Sequence, residues 1–179
     1  MEGIKSKNLP ATLLFIDFSK AFDSIHRGKM KEILSVYGIT KETVDAIMIL
    51  YHDTSSMVRS PDGDTDFFDN SAGVLQGDIL APCIFIICLD YVLRKALDKN
   101  NELGFALAKR KSKRDPAMKI TDTDCAEDLA VLADVLKDTT FLLHSIERTT
   151  KMIGLYLNAD KTEFICFNQC VRRDEESRW

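Results

Sequence analysis

The stretch LLFIDF, residues 13 to 18, is apolar at every position except Asp17. A short continuous apolar run is typical of a strand that is buried on both of its faces. An acid within such a strand is either a functional group or a residue that caps the strand or lies at a sheet edge. The stretch therefore predicts a central strand and marks Asp17 as a candidate functional residue.

Four segments with apolar residues at helical spacing predict helices. Two of them are defined by Met30, Ile33, Leu34 and Tyr37, and by Val44, Ile47, Met48 and Tyr51; the other two extend from about 80 to 97 and from about 137 to 153. Gly38 is typical of a helix end, and Thr40 or Thr43 is typical of a helix start. Two helices are therefore expected directly after the first strand.

Three pairs of short strands predict hairpins. The first pairs 56–60 with 65–70 around the turn PDGD. The second pairs 117–124 with 129–134 and has CAED (125–128) at or beside its tip. The third pairs 154–158 with 162–167 around a turn at 159–161. The segment 104–119, which overlaps the start of the second of these hairpins, is basic. Because hairpins outnumber parallel crossovers, we predict an α+β fold. It is one domain, an antiparallel sheet with helices packed on one face, as in ferredoxin-like cores.

The composition fits one soluble globular domain, with 179 residues, of which 45% are hydrophobic and 29% charged. The longest apolar run, 80–93, is interrupted by Asp90 and is too short to span a bilayer, and the N-terminal segment lacks the apolar core of a signal peptide. An intracellular location, cytoplasm or nucleus, and no membrane partner are therefore expected. The five cysteines are expected to be structural thiols, although Cys166 and Cys170 have roughly the spacing of zinc ligands.

The charge is unevenly distributed along the chain. A net charge of −4 argues against a general nucleic-acid-binding surface. The stretch KRKSKR nevertheless carries five cations in six residues, namely Lys109, Arg110, Lys111, Lys113 and Arg114. This basic block is a solvated loop, a localisation signal or a contact with nucleic-acid phosphates.

Two adjacent carboxylates, Glu127 and Asp128, stand immediately before the apolar stretch LAVLAD. Like charges repel in this position unless they are solvated at a hairpin tip or share a cation. If the strand of Asp17 neighbours this hairpin, three carboxylates converge, and such hard oxygen ligands select Mg²⁺ or Mn²⁺ over zinc. Two such ions would support nucleotidyl transfer.

Four stretches in order resemble motifs A, B, C and D of the reverse transcriptases of non-LTR, LINE-like retrotransposons. They are FIDFSKAFDSIHR (15–27), GVLQGDILAP (73–82), CAEDLAVLAD (125–134) and GLYLNADKTEFICF (154–167). The resemblance covers about residues 11 to 168 and implies the polymerase palm, which is the central domain of these enzymes. It implies an RNA-directed DNA polymerase that uses Mg²⁺ or Mn²⁺, an RNA template, a DNA primer and deoxynucleoside triphosphates.

The resemblance also implies roles for residues of motif A. Asp17 resembles the metal ligand of that motif, and Phe18 would offer the adjacent backbone carbonyl. Phe22 resembles the aromatic gate that lies beneath the incoming sugar and rejects a 2′-hydroxyl by steric clash; without the motif it would be read as a core aromatic. Asp23 belongs to the family signature AFD, and we assign no metal to it.

The remaining implied roles lie in motifs B, C and D. Gln76 and Gly77 resemble the pair that lies against the nucleotide and template, where glycine permits a close approach of the backbone. Glu127 and Asp128 stand at the metal ligands of motif C. Lys161 resembles the motif D lysine, a proton donor to the leaving pyrophosphate; its alternative is an ordinary surface lysine in a turn.

The chain departs from the family pattern at motif C and in length. The family reads aromatic-Ala-Asp-Asp where this chain reads CAED, so Glu127 replaces the first Asp. Mg²⁺ tolerates little displacement of its ligands, and we therefore expect impaired synthesis that Mn²⁺ partly rescues. The fingers and thumb of the polymerase hand are expected to be largely missing, which leaves open a dependence on other polypeptides for them, and 169–179 is expected to be a charged, disordered tail.

Other functions share parts of this pattern. An RNA-templated RNA polymerase or a nucleotide cyclase also carries acidic metal ligands on a palm, but Phe22, followed by QGD and NADKTE, favours a reverse transcriptase. The alternative from a different class is a non-catalytic relic of the palm that binds nucleic acid or acts as a scaffold, using Lys109 to Arg114.

Overall fold

The computed structural model describes residues 10–97, 103–108, 118–125 and 128–168. The helices in these ranges are α1 (Ala21–Ser24), α2 (Arg27–Val36), α3 (Lys41–Leu50), α4 (Ala81–Leu97) and α5 (Leu136–Lys151). The strands are β1 (Ala11–Ile16), β2 (Phe18–Ser19), β3 (Ser55–Ser56), β4 (Phe68–Asp69), β5 (Phe105–Ala108), β6 (Met118–Ile120), β7 (Asp122–Cys125), β8 (Asp128–Ala133), β9 (Tyr156–Leu157) and β10 (Glu163–Phe167). None of the described helices is long and apolar enough to cross a membrane.

A four-stranded antiparallel sheet with the order β10-β1-β8-β7 organises the fold. In β1, Leu14 and Ile16 are buried, whereas Phe15 between them is 41% exposed. Successive side chains of a strand point to opposite faces, so one face of β1 is buried, whereas the face with Ala11, Leu13 and Phe15 becomes exposed towards its end at Phe15. The prediction of a strand buried on both faces is therefore wrong.

The helices cover the buried face of this sheet. Leu142 and Ile146 of α5 belong to the same buried cluster as Leu14 and Ile16, and so does Phe85 of α4, which has no exposed area. Helix α5 contacts β1, β8 and α4. The predicted α+β fold, an antiparallel sheet with helices packed on one face, is confirmed.

The helical periodicities mark real helices. Helix α2 is followed by Gly38, whose φ of 79° is easy only for glycine. Helix α3 starts after Thr40, whose side-chain oxygen accepts a hydrogen bond from the backbone N–H of Thr43 at 3.4 Å. The apolar segments predicted at 80–97 and 137–153 form α4 and α5 with ends that differ by one or two residues.

Strand partners differ from the prediction at three places. The expected hairpin of 154–158 with 162–167 is wrong, because β9 pairs with β2 while β10 pairs with β1. The expected strand 117–124 is two strands, since β6 pairs with β5 and β7 pairs with β8. The hairpin around PDGD exists, but its paired part is reduced to β3 and β4.

Several predicted features lie outside the described residues. The basic block from Lys109 to Arg114 and the tail 169–179 belong to parts of the chain that the structure does not describe. Among the described thiols, Cys88 is fully buried, and burial raises its pKa to about 12, as expected for a structural thiol. The second member of the proposed zinc-like pair, Cys170, also lies outside the described residues.

Candidate active site

Asp17 lies at the point where the first strand changes partners. Strand β1 pairs with β8 and β10, whereas β2, which begins one residue after Asp17, pairs with β9. The backbone carbonyl of Asp17 accepts a hydrogen bond from the N–H of Asn158 at 2.9 Å. Asp17 therefore lies just beyond the carboxyl end of β1, an interior strand of the sheet, with its side chain 27% exposed.

Asn158 holds the Asp17 carboxylate from the side of motif D. Its side-chain amide donates to Oδ2 of Asp17 at 3.1 Å. Its own carbonyl accepts from the N–H and the hydroxyl of Thr162 at 3.0 and 2.7 Å, which closes the turn 158–162. The turn brings Nζ of Lys161 to 3.8 Å from the same Oδ2, while the Lys161 side chain remains 71% exposed.

These residues border an open cavity of about 270 Å³. Its lining residues are Asp17, Phe18, Ser19, Lys20, Ala21, Phe22, Asp23, Gln76, Asn158 and Lys161. The lining comes from three segments that are far apart in sequence. The structure thus brings together five of the predicted site residues, namely Asp17, Phe18, Phe22, Gln76 and Lys161.

Phe22 is held from below by the central helix. Its ring stacks on that of Phe85, with centroids 4.5 Å apart and planes inclined by 19°. Because Phe85 is fully buried in α4, Phe22 has a rigid support. The ring is therefore both a core contact and a wall of the cavity, so the two readings of Phe22 are compatible.

The loop that carries Gln76 lies directly against motif A. The N–H groups of Gly73 and Val74 donate to the carbonyls of Ile25 and Phe22 at 2.8 and 2.7 Å. A Cβ on Gly73 would lie 2.5 Å from Cα of Asp23, closer than atoms can approach. The two walls of the cavity are thus one tightly packed unit.

Gln76 and Gly77 stand at the rim of this unit. Nε2 of Gln76 donates to Oδ1 of Asp23 at 3.1 Å. Gly77 has a φ of 90°, and no described atom lies within 4 Å of the position of an added Cβ. Its outer face is therefore open to an approaching group, although Gly77 itself does not line the cavity.

Sequence reasoning overlooked two residues that assemble the site. Asn158 contacts Asp17 through both backbone and side chain. Arg27 donates from Nε to the carbonyl of Gly73 at 3.1 Å, and from one Nη to the carbonyl of Tyr51 at 2.6 Å and the hydroxyl of Thr54 at 2.8 Å. The signal was weak, since a single cation after motif A and an Asn before a turn are both common.

The second part of the predicted carboxylate set comes from β8. The last pair of the register between β1 and β8 is Ile16 with Leu129, so Asp17 follows this pair by one residue and Asp128 precedes it by one. Glu127 and the side chain of Asp128 lie outside the described residues. Among the described side chains, no group of three His, Cys, Asp or Glu residues is placed to hold a metal.

The donor chemistry of Asp17 fits a hard divalent cation. In the described chain its Oδ2 carries the contacts to Asn158 and Lys161, and its Oδ1 has no hydrogen-bond partner. Carboxylate oxygen is the ligand that Mg²⁺ and Mn²⁺ prefer. Asp17 can therefore contribute one ligand at the rim of the cavity.

Curated relatives of the chain are retrotransposon polyproteins. It is 29% identical over 158 residues to the Retrovirus-related Pol polyprotein from type-2 retrotransposable element R2DM of Drosophila melanogaster, covering 88% of this chain and 13% of that protein. It is 27% identical over 146 residues to the Pol polyprotein from type-1 retrotransposable element R2 of Popillia japonica, covering 82% of this chain and 23% of that protein. The chain thus spans less than a quarter of the length of these relatives.

Similar folds occur in telomerase structures. Apo telomerase from Candida tropicalis, truncated from its C-terminal domain, superposes with a TM-score of 0.62 at 15% identity, covering 92% of this chain and 33% of that one. Candida albicans telomerase in complex with a TWJ fragment of telomeric RNA superposes with a TM-score of 0.63 at 13% identity, covering 91% of this chain and 27% of that one. At such identities the likeness establishes the fold alone.

The family assignment rests on the match of residues 2–178 to the model of reverse transcriptases (RNA-dependent DNA polymerases). This match extends over nearly the whole chain, and the relatives named above come from R2 elements, which agrees with the resemblance of the four motifs. The protein therefore belongs to the reverse transcriptase (RNA-dependent DNA polymerase) family, as a domain of the non-LTR retrotransposon kind.

Proposed function

We propose that the cavity beside Asp17 is a site of RNA-directed DNA synthesis, in which a deoxynucleoside triphosphate is added to a DNA primer on an RNA template. The single observation that carries the proposal is the convergence of Asp17, Gln76 and Lys161 on one cavity from three distant segments. Asp17, Glu127 and Asp128 would hold Mg²⁺ or Mn²⁺. Two such ions, when bound, would stabilise the attacking and leaving oxygens.

Other residues in and beside the cavity would position the nucleotide. Phe22, supported by Phe85, would lie beneath the sugar and exclude a 2′-hydroxyl, and Gln76 with Gly77 would face the nucleotide and template. Phe18 would contribute its backbone carbonyl beside Asp17. Lys161 is close to Asp17 and largely exposed, so it is free to move and to deliver a proton to the departing pyrophosphate.

The Glu in CAED would weaken this activity. Glu127 keeps the charge of the Asp that the family has at this position, but its carboxylate lies one methylene farther from the backbone. A misplacement of about 1 Å can lower a rate by about 100-fold. Mn²⁺ accepts less ideal ligand geometry than Mg²⁺, and we therefore propose that synthesis is slow in Mg²⁺ and faster in Mn²⁺.

Nucleic acid would be the principal partner. A telomerase that superposes on this chain was solved with an RNA fragment, which supports an RNA partner for the fold. The basic block from Lys109 to Arg114 is the candidate contact with phosphates. Because the chain spans 13–23% of its relatives, we propose that the fingers and thumb functions come from other polypeptide segments. The substrates also imply an intracellular location.

A second candidate function is a non-catalytic nucleic-acid-binding or scaffold domain. The replacement of an Asp by Glu127 at a metal position favours it. In that case RNA binding would fall with salt concentration, would survive Asp17→Ala and would be accompanied by no nucleotide incorporation. Substituting the five cations from Lys109 to Arg114 would weaken such binding and reduce its salt dependence.

The proposal is tested by primer extension on an RNA template in Mg²⁺ and in Mn²⁺. Asp17→Ala should abolish synthesis, Glu127→Asp should increase it in Mg²⁺ by about 10- to 100-fold, and Asp66→Asn is the matched control, because Asp66 is an exposed acid outside the cavity. Synthesis that persists in Asp17→Ala would refute the assigned site. Equal rates for Glu127→Asp and the unmodified chain would refute the impairment. RNA binding that survives Asp17→Ala, with no synthesis by any protein, would favour the second candidate.

A further inference from the structure

Asp23 lines the cavity and has so far been assigned neither to the metal nor to the sugar. Its Oδ1 accepts the hydrogen bond from Nε2 of Gln76 at 3.1 Å, across 53 residues of sequence. Both side chains line the cavity that contains Asp17 and Phe22. A contact between motif A and motif B is therefore made inside the proposed nucleotide site.

The chemistry of the pair decides which way the Gln76 amide points. A carboxylate accepts hydrogen bonds and cannot donate them, whereas an amide has a donor nitrogen and an acceptor oxygen. The nitrogen must therefore face Asp23. The opposite end of the amide, Oε1, is then left as an acceptor for other groups in the cavity.

The backbone of Asp23 is fixed, so its carboxylate is presented from a defined position. Its N–H donates to the carbonyl of Lys20 at 2.9 Å, and the preceding carbonyl, that of Phe22, accepts from Val74 at 2.7 Å. Gly73 packs against Asp23 so closely that it has no room for a Cβ. Gln76 has three side-chain torsions and is exposed, so the contact with Asp23 is what limits its orientation.

We propose that Asp23 is a positioning residue that turns the Gln76 amide so that its oxygen faces the incoming nucleotide. The site then takes the nucleotide through a hydrogen-bond donor, which is a sugar hydroxyl or a base amino group. This inference rests on the proposed function, because it requires that a nucleotide occupies the cavity. It adds a determinant of nucleotide recognition that is neither a metal ligand nor a steric gate.

The test is calorimetric binding of dATP in Mg²⁺ to the full chain. Asp23→Leu removes the acceptor at similar size and should raise Kd by about 3- to 10-fold, the value of one hydrogen bond. Gln76→Glu places two carboxylates together and should raise Kd at least as much. Adding Asp23→Asn to Gln76→Glu should bring Kd back to within about 3-fold of the unmodified chain, because the new amide can donate to the new carboxylate.

The outcomes separate the inference from the function on which it rests. Suppose that dATP binds the unmodified chain, that Asp17→Ala abolishes this binding, and that adding Asp23→Asn to Gln76→Glu does not bring Kd back. The role of Asp23 is then refuted, and the site stands. If dATP does not bind the unmodified chain, the proposed function fails and the inference fails with it. Equal melting temperatures of all variants would exclude a merely structural effect, since both side chains are exposed.

A parallel titration with 2′,3′-dideoxy-ATP identifies the donor. If the donor is the sugar hydroxyl, Asp23→Leu should leave Kd for this nucleotide unchanged within about 2-fold. If the donor is the base amino group, the loss of 3- to 10-fold should persist. A dideoxy nucleotide that binds Asp23→Leu more tightly than the unmodified chain would overturn the acceptor role of Gln76.

Discussion

Replacing Gly73 with alanine should be the most damaging single-methyl change in the loop that carries Gln76. An added Cβ would lie 2.5 Å from Cα of Asp23, and 2.6 Å from both the Asp23 carbonyl carbon and the Phe22 oxygen. Ordinary contact begins near 3.4 Å, so the two backbone segments would have to separate by about 0.9 Å. All three obstructing atoms belong to backbone, so no side chain can rotate away.

The cost of Gly73→Ala follows from two effects. Gly73 has a φ of 77°, and an alanine in the left-handed region costs about 1–2 kcal/mol. Forcing extra volume into a packed contact costs a further 1–3 kcal/mol, approximately. We therefore expect the free energy of unfolding to fall by about 2–5 kcal/mol, a large part of the stability of a domain of this size.

Two other glycines separate these effects. Gly77 has a similar φ, 90°, but no described atom lies within 4 Å of an added Cβ. Gly77→Ala should therefore lower the free energy of unfolding only by the backbone strain, about 1–2 kcal/mol. Gly28→Ala lies inside α2 with open space around it and should stabilise the protein by about 0.5–1 kcal/mol. Urea denaturation followed by circular dichroism measures all three. Equal losses for Gly73→Ala and Gly77→Ala would refute the close packing of the two cavity walls.

Three further predictions concern the gate, a thiol and an ion pair. Phe22→Val should raise the incorporation of ribonucleotides relative to deoxynucleotides by about tenfold or more; an unchanged ratio in primer extension would remove the gate role. Cys88 is fully buried, and burial raises its pKa to about 12, so it should react with iodoacetamide in the native protein much more slowly than the exposed Cys83; equal rates would contradict its burial. The hydrogen bond from Lys41 lowers the pKa of Asp45 to about 2, so this pair should stabilise the fold above the unfolded pKa of about 4 and lose its effect as the pH falls towards 2. Asp45→Asn should therefore flatten the acid dependence of stability between these values, and an unchanged dependence measured by denaturation at several pH values would exclude the pair as its cause.

The helices could be predicted from the sequence because their signals are local. The spacing of Met30, Ile33 and Leu34 matches one face of a helix, and the structure buries all three in the common core. Gly38 and Thr40 mark the boundary between two helices by backbone conformation and capping, which depend on a few neighbouring residues. Such signals need no knowledge of the rest of the fold.

Strand partners could not be predicted in the same way. Alternation reports which face of a strand is buried and not which strand lies beside it. The segments 154–158 and 162–167 resemble a hairpin locally, but the hydrogen bonds of Asn158 to Asp17 and the pairing of β9 with β2 hold the first segment in another sheet. These contacts join residues about 140 positions apart, and no local pattern contains them.

The candidate site was predictable as a set of residues but not as an arrangement. The four motifs named Asp17, Phe22, Gln76 and Lys161, and the cavity joins them. The contacts that hold them, from Asn158, Arg27 and Asp23, involve residue types that are common on any surface. Their roles appear only when the backbone brings distant segments together.

The convergence of carboxylates on the Asp17 cavity is the central claim, and Mn²⁺ binding to the full chain, followed by electron paramagnetic resonance, tests it most directly. Asp17 and Asp128 each lie one residue from the last pair of the register between β1 and β8, Ile16 with Leu129. Asp17→Asn and Asp128→Asn should therefore each weaken the same site by at least about tenfold, an order of magnitude that loss of one ligand from a hard-cation site would give. Asp66→Asn should leave the titration unchanged. If Asp17→Asn binds Mn²⁺ as tightly as the unmodified chain, the cavity beside Asp17 does not hold the metal and the proposed chemistry is wrong.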